Sequence, residues 1–277
     1  MIHECINLKT IYPQLHGGDS VLLTSYCIDN FEEWNLNEKR KTILILPGGG
    51  YQFVSQREAE PIALQYLKEN INAFVLSYTV TSTPHLHPLN PIDEVFAAIV
   101  YIKEHAEKYH VDVDHISVLG FSAGGHLAAS TALFMKDETY SKLLKCKVED
   151  LKFKGVLLGY PVITLGERTH GGTALYRAGD DQELIEKLSV EKHITEDYPP
   201  TFIWTTFNDN SVSPLNSIML VKELISHNVR VEFHLFPEGM HGLALANDMT
   251  SCPQNPEESE IIHTWVKHSV MFIKKFL

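Results

Sequence analysis

The chain has 277 residues, with a hydrophobic content of 44% and a charged content of 21%, the balance of an ordinary globular domain with its own apolar core. Its formal net charge of −12 argues against nucleic-acid binding, which depends on Lys and Arg neutralising phosphates. No run of about 18 apolar residues occurs, so the sequence predicts no helix that spans a membrane.

The cysteines and the first residues predict where the protein resides. Cys5, Cys27, Cys146 and Cys252 are far apart and form no C-x-x-C pair, so we expect free thiols in a reducing compartment. The first residues lack both a basic start and an uninterrupted apolar core, so no secretory signal is predicted. Together these features predict a cytoplasmic protein, and the sequence is compatible with a homo-oligomer as well as with a monomer.

Apolar runs alternate with helical stretches along most of the chain. The predicted strands, in chain order, cover residues 20–28, 42–46, 73–78, 116–119, 155–160, 202–206 and 231–236. The predicted helices cover residues 57–69, 91–107, 122 to about 135, 214–227 and 257 onwards. Strands that alternate with helices of this length are typical of a parallel sheet covered by helices. We therefore predict one α/β domain over residues 1–277.

Residues 161–200 interrupt this alternation. The segment is polar and helical in character and has no strand pattern. It is too long for a plain connection between a strand and the next helix. We expect it to be an inserted cap over the functional site.

A Gly-x-Ser-x-Gly motif at residues 120–124 is the strongest functional signal in the chain. An apolar strand precedes it, and a helix of small residues follows it. This setting is typical of a sharp turn that lifts a serine hydroxyl above a sheet. Gly120 and Gly124 stand where strand and helix approach too closely for side chains. The motif predicts that Ser122 is a nucleophile.

An acid and a histidine follow two later strands. Asp209 comes after the strand at 202–206, and His241 comes after the strand at 231–236. Because ligand sites in open α/β sheets lie at the carboxyl ends of strands, we expect Ser122, Asp209 and His241 to converge there. In this prediction Ser122 attacks a carbonyl, His241 carries the proton and Asp209 orients the imidazole. Glu238 and Asp248 are rival acids near His241, and Asp209 is preferred.

A run of three glycines, Gly48 to Gly50, follows the predicted strand at 42–46. Consecutive glycines let backbone N–H groups approach a ligand, as an oxyanion hole requires. We expect the N–H groups of Gly49, Gly50 and Ala123 to be its donors. Three aromatic residues beside these motifs are predicted to wall the acyl pocket and bind substrate: Tyr51, Phe121 and Tyr160.

Three histidine and acid groups invite other interpretations. His85 and His87 have the spacing of a metal pair, but neighbouring prolines and the lack of nearby carboxylates favour a loop over the pocket. His126 lies one helical turn beyond Ser122, where a packed, hydrogen-bonded histidine is the preferred interpretation over a rival base. Asp180 and Asp181 fall in the expected cap and are predicted to be solvated. We therefore predict no metal site.

The motifs together resemble those of the α/β-hydrolase superfamily, and in particular small carboxylesterases that share features with the hormone-sensitive lipase and acetylxylan esterase groups. Residues 46–51 resemble their HGGG(F/Y) oxyanion motif, with Pro47 where many members have His. Residues 120–128 are close to their nucleophile turn, and residues 241–243 resemble their histidine loop. The acid loop, usually D-x-x-V-P, departs from the pattern because Ser213 replaces the proline.

This resemblance implies a mostly parallel central sheet with helices on both faces and a small cap. It implies a serine carboxylic-ester hydrolase that cleaves short-chain acetyl esters through an acyl-enzyme and needs no cofactor. Its partner would be a small-molecule ester. A proline at the position of Pro47 is common among bacterial members that act on acetylated sugars, which favours acetylated sugars or xylo-oligosaccharides as substrates. Two alternatives stay open: an arylformamidase-type amide hydrolase using the same triad, and a non-catalytic binding module.

Overall fold

In the computed structural model, which describes residues 1–33, 35–80, 90–167 and 169–277, eight strands form one sheet. The strands are β1 (Cys5–Asn7), β2 (Leu22–Tyr26), β3 (Arg40–Leu46), β4 (Asn72–Ser77), β5 (Val111–Phe121), β6 (Gly155–Gly159), β7 (Thr201–Thr206) and β8 (Val231–Phe236). Their order across the sheet is β1-β2-β4-β3-β5-β6-β7-β8. The β1–β2 and β2–β4 pairs are antiparallel, and every other neighbouring pair is parallel.

Ten α-helices connect or flank these strands in the described part of the chain. They are α1 (Leu8–Ile11), α2 (Glu60–Leu67), α3 (Asn90–Glu104), α4 (Ala106–Tyr109), α5 (Ser122–Leu133), α6 (Glu138–Leu144), α7 (Gly171–Arg177), α8 (Gln182–Leu188), α9 (Leu215–Ser226) and α10 (Glu260–Phe276). Short 3₁₀ turns cover Gln56–Glu58, Val148–Leu151 and Val190–Lys192. No helix among the described residues is long and apolar enough to cross a membrane.

The core lies on both faces of the sheet because alternate residues of a strand point in opposite directions. On β3, Leu44 and Leu46 pack with α3, α5 and α9 in one buried cluster. Ile43 and Ile45 pack with α2 and α10 in the other. The predicted α/β architecture, with a mostly parallel sheet and helices on both faces, is confirmed.

All seven predicted strands are present. Six of them differ from the prediction by at most two residues at either end, whereas β5 begins at Val111, five residues before the predicted start. The predicted helix at 57–69 is instead a 3₁₀ turn followed by α2, because Pro61 in the first turn of α2 has no N–H to continue a preceding helix. The predicted helix at 91–107 ends at Glu104, and α4 follows it. Short elements such as β1 and α6 were not predicted. Residues 161–200 contain α7, α8 and one 3₁₀ turn between β6 and β7.

Candidate active site

Ser122 lies at the sharp turn between β5 and α5. Its φ of 52° is in the left-handed region, a strained conformation for a residue with a side chain. The two glycines of the motif make the turn possible. A Cβ on Gly120 would lie 2.1 Å from the carbonyl oxygen of Gly124, and one on Gly124 would lie 2.1 Å from that of Leu46. The turn therefore accepts glycine alone at both positions.

The structure brings Ser122, His241 and Asp209 together in a hydrogen-bonded chain. Nδ1 of His241 donates to Oδ2 of Asp209 over 2.7 Å, and Nε2 lies 2.8 Å from the Ser122 hydroxyl. Because a carboxylate only accepts hydrogen bonds, the ring proton is on Nδ1 and Nε2 accepts from the hydroxyl. This arrangement suits a general base acting on a serine hydroxyl.

The Asp209 carboxylate is itself fixed by its own loop. Its side chain is buried, and Oδ1 accepts hydrogen bonds from the N–H groups of Ser211 and Val212, each over 2.9 Å. The imidazole of His241 bonds to this carboxylate and not to the rival acids Glu238 or Asp248. Its orientation is thus set by a rigid acceptor.

The glycine loop beside Ser122 is turned by positive φ angles of 128° at Gly49 and 63° at Gly50. The carbonyl of Gly49 accepts from the N–H groups of Gln52 and Phe53, which closes the turn. Within the described residues, the N–H groups of Gly49 and Gly50 have no hydrogen-bond partner. The N–H of Ala123 is in the first turn of α5, where a helix provides no acceptor. These three groups are therefore available to a ligand.

Ser122 and His241 open onto a cleft of about 590 Å³. One wall is formed by residues 49–50 and 52–58, which include Gln52 and the largely exposed Phe53. Other walls come from Ser211 and from His170, a residue of the 161–200 segment. The sequence analysis did not identify Gln52, Phe53 or His170, since no motif marks them.

His170, which lines the cleft, carries a hydrogen-bond donor on its ring. Its Nδ1 accepts from the N–H of Thr173 over 3.2 Å and caps α7. An Nδ1 that accepts from an N–H carries no proton, so the proton of the neutral ring is on Nε2. Burial, with a smaller contribution from His241, holds the pKa of His170 below its usual value, which favours this neutral form.

Tyr51, Phe121 and Tyr160 do not line the cleft, which corrects the expectation that they wall the acyl pocket. Their exposures are 0%, 0% and 1%, because their rings pack into the core behind the loops that carry the site. Phe121 packs edge-on against Trp265 with ring centroids 5.7 Å apart. Tyr160 packs edge-on against the His241 ring at 4.9 Å. These residues support the site from behind.

His126 is a packed, hydrogen-bonded histidine, as predicted. Its ring is fully buried, Nδ1 accepts from the Tyr51 hydroxyl and Nε2 donates to the carbonyl of Leu188. Burial, with a smaller contribution from the Arg177 charge, lowers its pKa to about 3. A neutral ring with both nitrogens occupied is unsuited to act as a base on Ser122.

Glu58 is a buried carboxylate at the edge of the cleft that sequence reasoning missed. It accepts hydrogen bonds from the N–H of Gly48 and from the hydroxyl of Tyr160, each over 2.7 Å. Its only sequence signal is its position shortly after the glycine run.

His85 and His87, the pair that resembles a metal site, lie outside the described residues. Among the residues that are described, one group of side chains comes close enough together to share an ion: Glu232 and His234 on β8 and His268 on α10. None of them lines the cleft that contains Ser122.

Comparison with known proteins identifies the family. The BD-FAE family profile matches residues 28–224, which is more than half of the chain. The chain belongs to the BD-FAE family. The suspected relationship to α/β-hydrolase carboxylesterases is thereby confirmed.

Solved structures of three hydrolases are similar to nearly the whole chain. The acetyl ester-xyloside bifunctional hydrolase of Caldicellulosiruptor lactoaceticus is 31% identical with a TM-score of 0.82, and the match covers 98% of this chain and 95% of that one. The carboxylesterase Cest-2923 of Lactobacillus plantarum WCFS1 is 27% identical with a TM-score of 0.86, covering 99% and 98%. MGS-M1, an alpha/beta hydrolase enzyme from a Medee basin deep-sea metagenome library, is 32% identical with a TM-score of 0.78, covering 100% and 98%.

Two curated relatives match over part of their length. Endo-1,4-beta-xylanase B of Butyrivibrio fibrisolvens is 35% identical over 77% of this chain and 34% of the relative. Acetylxylan esterase of Xylanibacter ruminicola is 24% identical over 74% of this chain and 42% of the relative. The chain thus matches less than half of the length of either protein.

Proposed function

We propose that this protein is a serine carboxylesterase that removes short acyl groups, chiefly acetyl, from sugars or xylo-oligosaccharides. The observation that carries the proposal is the hydrogen-bonded chain from Ser122 through His241 to Asp209, which opens onto a cleft. Beside it are three backbone N–H groups that have no partner in the described part of the chain. Such a combination of nucleophile, base and oxyanion donors is the machinery of acyl transfer.

The first half-reaction forms an acyl-enzyme. Nε2 of His241 removes the proton from Ser122 as Oγ attacks the ester carbonyl carbon. The carbonyl oxygen becomes an oxyanion and is stabilised by the N–H groups of Gly49, Gly50 and Ala123. His241 then gives its proton to the leaving alcohol oxygen as the C–O bond breaks, which leaves the acetyl group on Oγ.

The second half-reaction repeats these steps with water. His241 removes a proton from water as the water oxygen attacks the acyl carbon. It then returns that proton to Oγ of Ser122 as acetate leaves. Asp209 holds the imidazole with Nδ1 protonated and stabilises the imidazolium formed in each half-reaction. All of these groups belong to the protein, so the proposal includes no cofactor.

The sugar preference is supported by the relatives and by the cleft. Two relatives are named an acetyl ester-xyloside bifunctional hydrolase and an acetylxylan esterase, so their names refer to acetyl esters, xylosides and acetylxylan. Gln52, His170 and Ser211 offer polar groups around the mouth of the cleft, and hydroxyl-rich leaving groups require such partners. We propose that the 161–200 segment is a cap within a single domain and contributes His170 to this recognition.

The free cysteines support a further proposal about location. All four cysteines are among the described residues and none is paired. Thiols of this kind are usual in reducing compartments, and we propose that the protein resides in the cytoplasm.

A substrate panel tests the proposed function. Purified protein and Ser122→Ala would be compared on p-nitrophenyl acetate, butyrate and octanoate, acetylated xylo-oligosaccharides and N-formylkynurenine. We expect acetate release from the sugars and the acetyl ester, both abolished by Ser122→Ala. Faster turnover of N-formylkynurenine would favour the arylformamidase alternative. No serine-dependent turnover, together with no labelling of Ser122 by a fluorophosphonate, would favour the binding module and overturn the proposal.

A further inference from the structure

Glu58 occupies an unusual position for an acidic side chain. It is 4% exposed, and it ends the 3₁₀ turn Gln56–Glu58, which begins six residues after Gly50. A carboxylate loses much hydration on burial and is retained only where partners replace the lost water. Both oxygens of Glu58 have such a partner: Oε2 accepts from the Gly48 N–H and Oε1 accepts from the Tyr160 hydroxyl.

The bond to Gly48 fixes the start of the glycine loop. A Cβ on Gly48 would lie 2.8 Å from Oε2 of Glu58 and 3.0 Å from Cβ of Ser122, so this residue is wedged between the carboxylate and the nucleophile. Gly48 precedes Gly49, whose free N–H is a proposed oxyanion donor. The N–H of Gly48 itself is used by Glu58, so its role is to hold the loop in place.

The bond to Tyr160 fixes the opposite side of the site. The Tyr160 oxygen accepts a hydrogen bond from the N–H of Ala244 over 2.9 Å, in the loop that follows His241. The Tyr160 ring also packs edge-on against the imidazole, with centroids 4.9 Å apart and an interplanar angle of 66°. Tyr160 therefore connects Glu58 to the loop that contains His241.

We propose that Glu58 is a positioning residue that holds the oxyanion loop and the histidine loop at a fixed distance from Ser122. One buried carboxylate links the two groups that must act on the same carbonyl, the oxyanion donors and the base. The inference rests on the proposed function, because its readout is ester hydrolysis. Misplacing a catalytic group by about 1 Å is enough to lower the rate by about 100-fold.

The experiment compares Glu58→Gln with Tyr160→Phe, their double variant and a control. Gln has a single acceptor oxygen, so its amide loses either the Gly48 bond or the bond donated by Tyr160. Glu60→Gln is the matched control, since this substitution removes the same charge nearby. The Glu60 carboxylate accepts a hydrogen bond from Tyr26, away from the cleft. Steady-state constants on p-nitrophenyl acetate would be measured for each protein.

We expect Glu58→Gln to lower kcat by about 100-fold and to leave KM within about threefold, because groups that act in the transition state are displaced while ground-state binding is kept. Tyr160→Phe should lower kcat less, because the Gly48 bond survives. The double variant should be no slower than Glu58→Gln, because the two residues act through one network. A trifluoromethyl ketone, which forms a tetrahedral adduct on Ser122, should bind each variant more weakly in proportion to the loss of kcat/KM.

The outcomes separate this inference from the proposed function. No Ser122-dependent turnover by the unmodified protein would count against the proposed function. Normal turnover with kcat unchanged in Glu58→Gln would overturn the positioning role, as would a rise in KM alone. If Glu58→Gln does not fold, as judged by near-UV circular dichroism, Tyr160→Phe decides the matter. A folded Tyr160→Phe with unchanged kcat would then overturn the inference.

Discussion

The hydroxyl of Tyr51 donates a hydrogen bond to Nδ1 of His126 over 2.9 Å, and both side chains are fully buried. Nε2 of His126 donates to the carbonyl of Leu188, the last residue of α8. One imidazole thus ties the glycine loop, the nucleophile helix α5 and the 161–200 segment together. The proposed cap is anchored to the helix that carries Ser122 by this contact.

The buried His126 should make the protein less stable as the pH falls. Its folded-state pKa of about 3 lies below the ordinary value of 6.5, so the unfolded chain takes up this proton first. The stabilisation is therefore present above about pH 6.5 and is lost progressively towards pH 3. Between pH 7 and pH 4 this one group should lower the free energy of unfolding by about 3 kcal/mol.

Urea unfolding of the native protein and of His126→Gln, measured from pH 7 to pH 4, would test this. Gln can accept from Tyr51 and donate to Leu188 but does not titrate. Its free energy of unfolding should fall less steeply with decreasing pH. Parallel curves for the two proteins would contradict the prediction.

Asp209→Asn should lower kcat by about 10³ to 10⁴ and leave the fold intact. The Asn oxygen can still accept from the N–H groups of Ser211 and Val212, but its amide would donate to Nδ1 of His241 and so stabilise the wrong ring tautomer. Glu238→Gln, at the rival acid, is the matched control and should retain full activity. Equal losses in the two variants, measured on p-nitrophenyl acetate, would refute the assignment of Asp209.

Gly124→Ala should disrupt the nucleophile turn. Its Cβ would lie 2.1 Å from the carbonyl oxygen of Leu46 and 2.5 Å from that of Pro47, so backbone must move. We expect a loss of about 2 kcal/mol in unfolding free energy and little remaining activity, because the displaced residues lead into the glycine loop. Gly171→Ala is the control, since a Cβ there meets no atom within 4 Å. Comparable stability of the two variants in urea would refute the steric argument.

His170→Asn should impair hydrolysis of acetylated sugars selectively. Asn is a good N-cap and can keep the bond from the Thr173 N–H, but its short side chain withdraws the Nε2–H donor from the cleft. Loss of one hydrogen bond to a sugar hydroxyl should lower kcat/KM on acetylated xylo-oligosaccharides by about tenfold. Turnover of p-nitrophenyl acetate, which has no such hydroxyl, should not change. Parallel losses on both substrates would exclude a role in leaving-group recognition.

Local sequence patterns determined seven of the eight described strands, the longer helices and the sharp turn at Ser122. Apolar runs mark the central strands, such as β6 and β7, because these are buried on both faces. Gly120 is required by the carbonyl of Gly124 within the turn, whereas Gly124 is required by the carbonyls of Leu46 and Pro47, which are distant in the sequence. The convergence of Ser122, Asp209 and His241 could also be predicted from the sequence, because each of them follows a predicted strand. Parallel strands place their carboxyl ends at one edge of the sheet.

Only the tertiary structure decided which side chains meet. Asp209 and Glu238 both precede His241 at plausible distances along the chain, and the choice between them depends on where two loops come together. Glu58 is 10 residues from Gly48 but 102 from Tyr160, so no local pattern reveals their link. The burial of Tyr51, Phe121 and Tyr160 likewise depends on helices packed beneath the loops. Hydrogen bonds and ring contacts between distant segments exist only once the sheet has assembled.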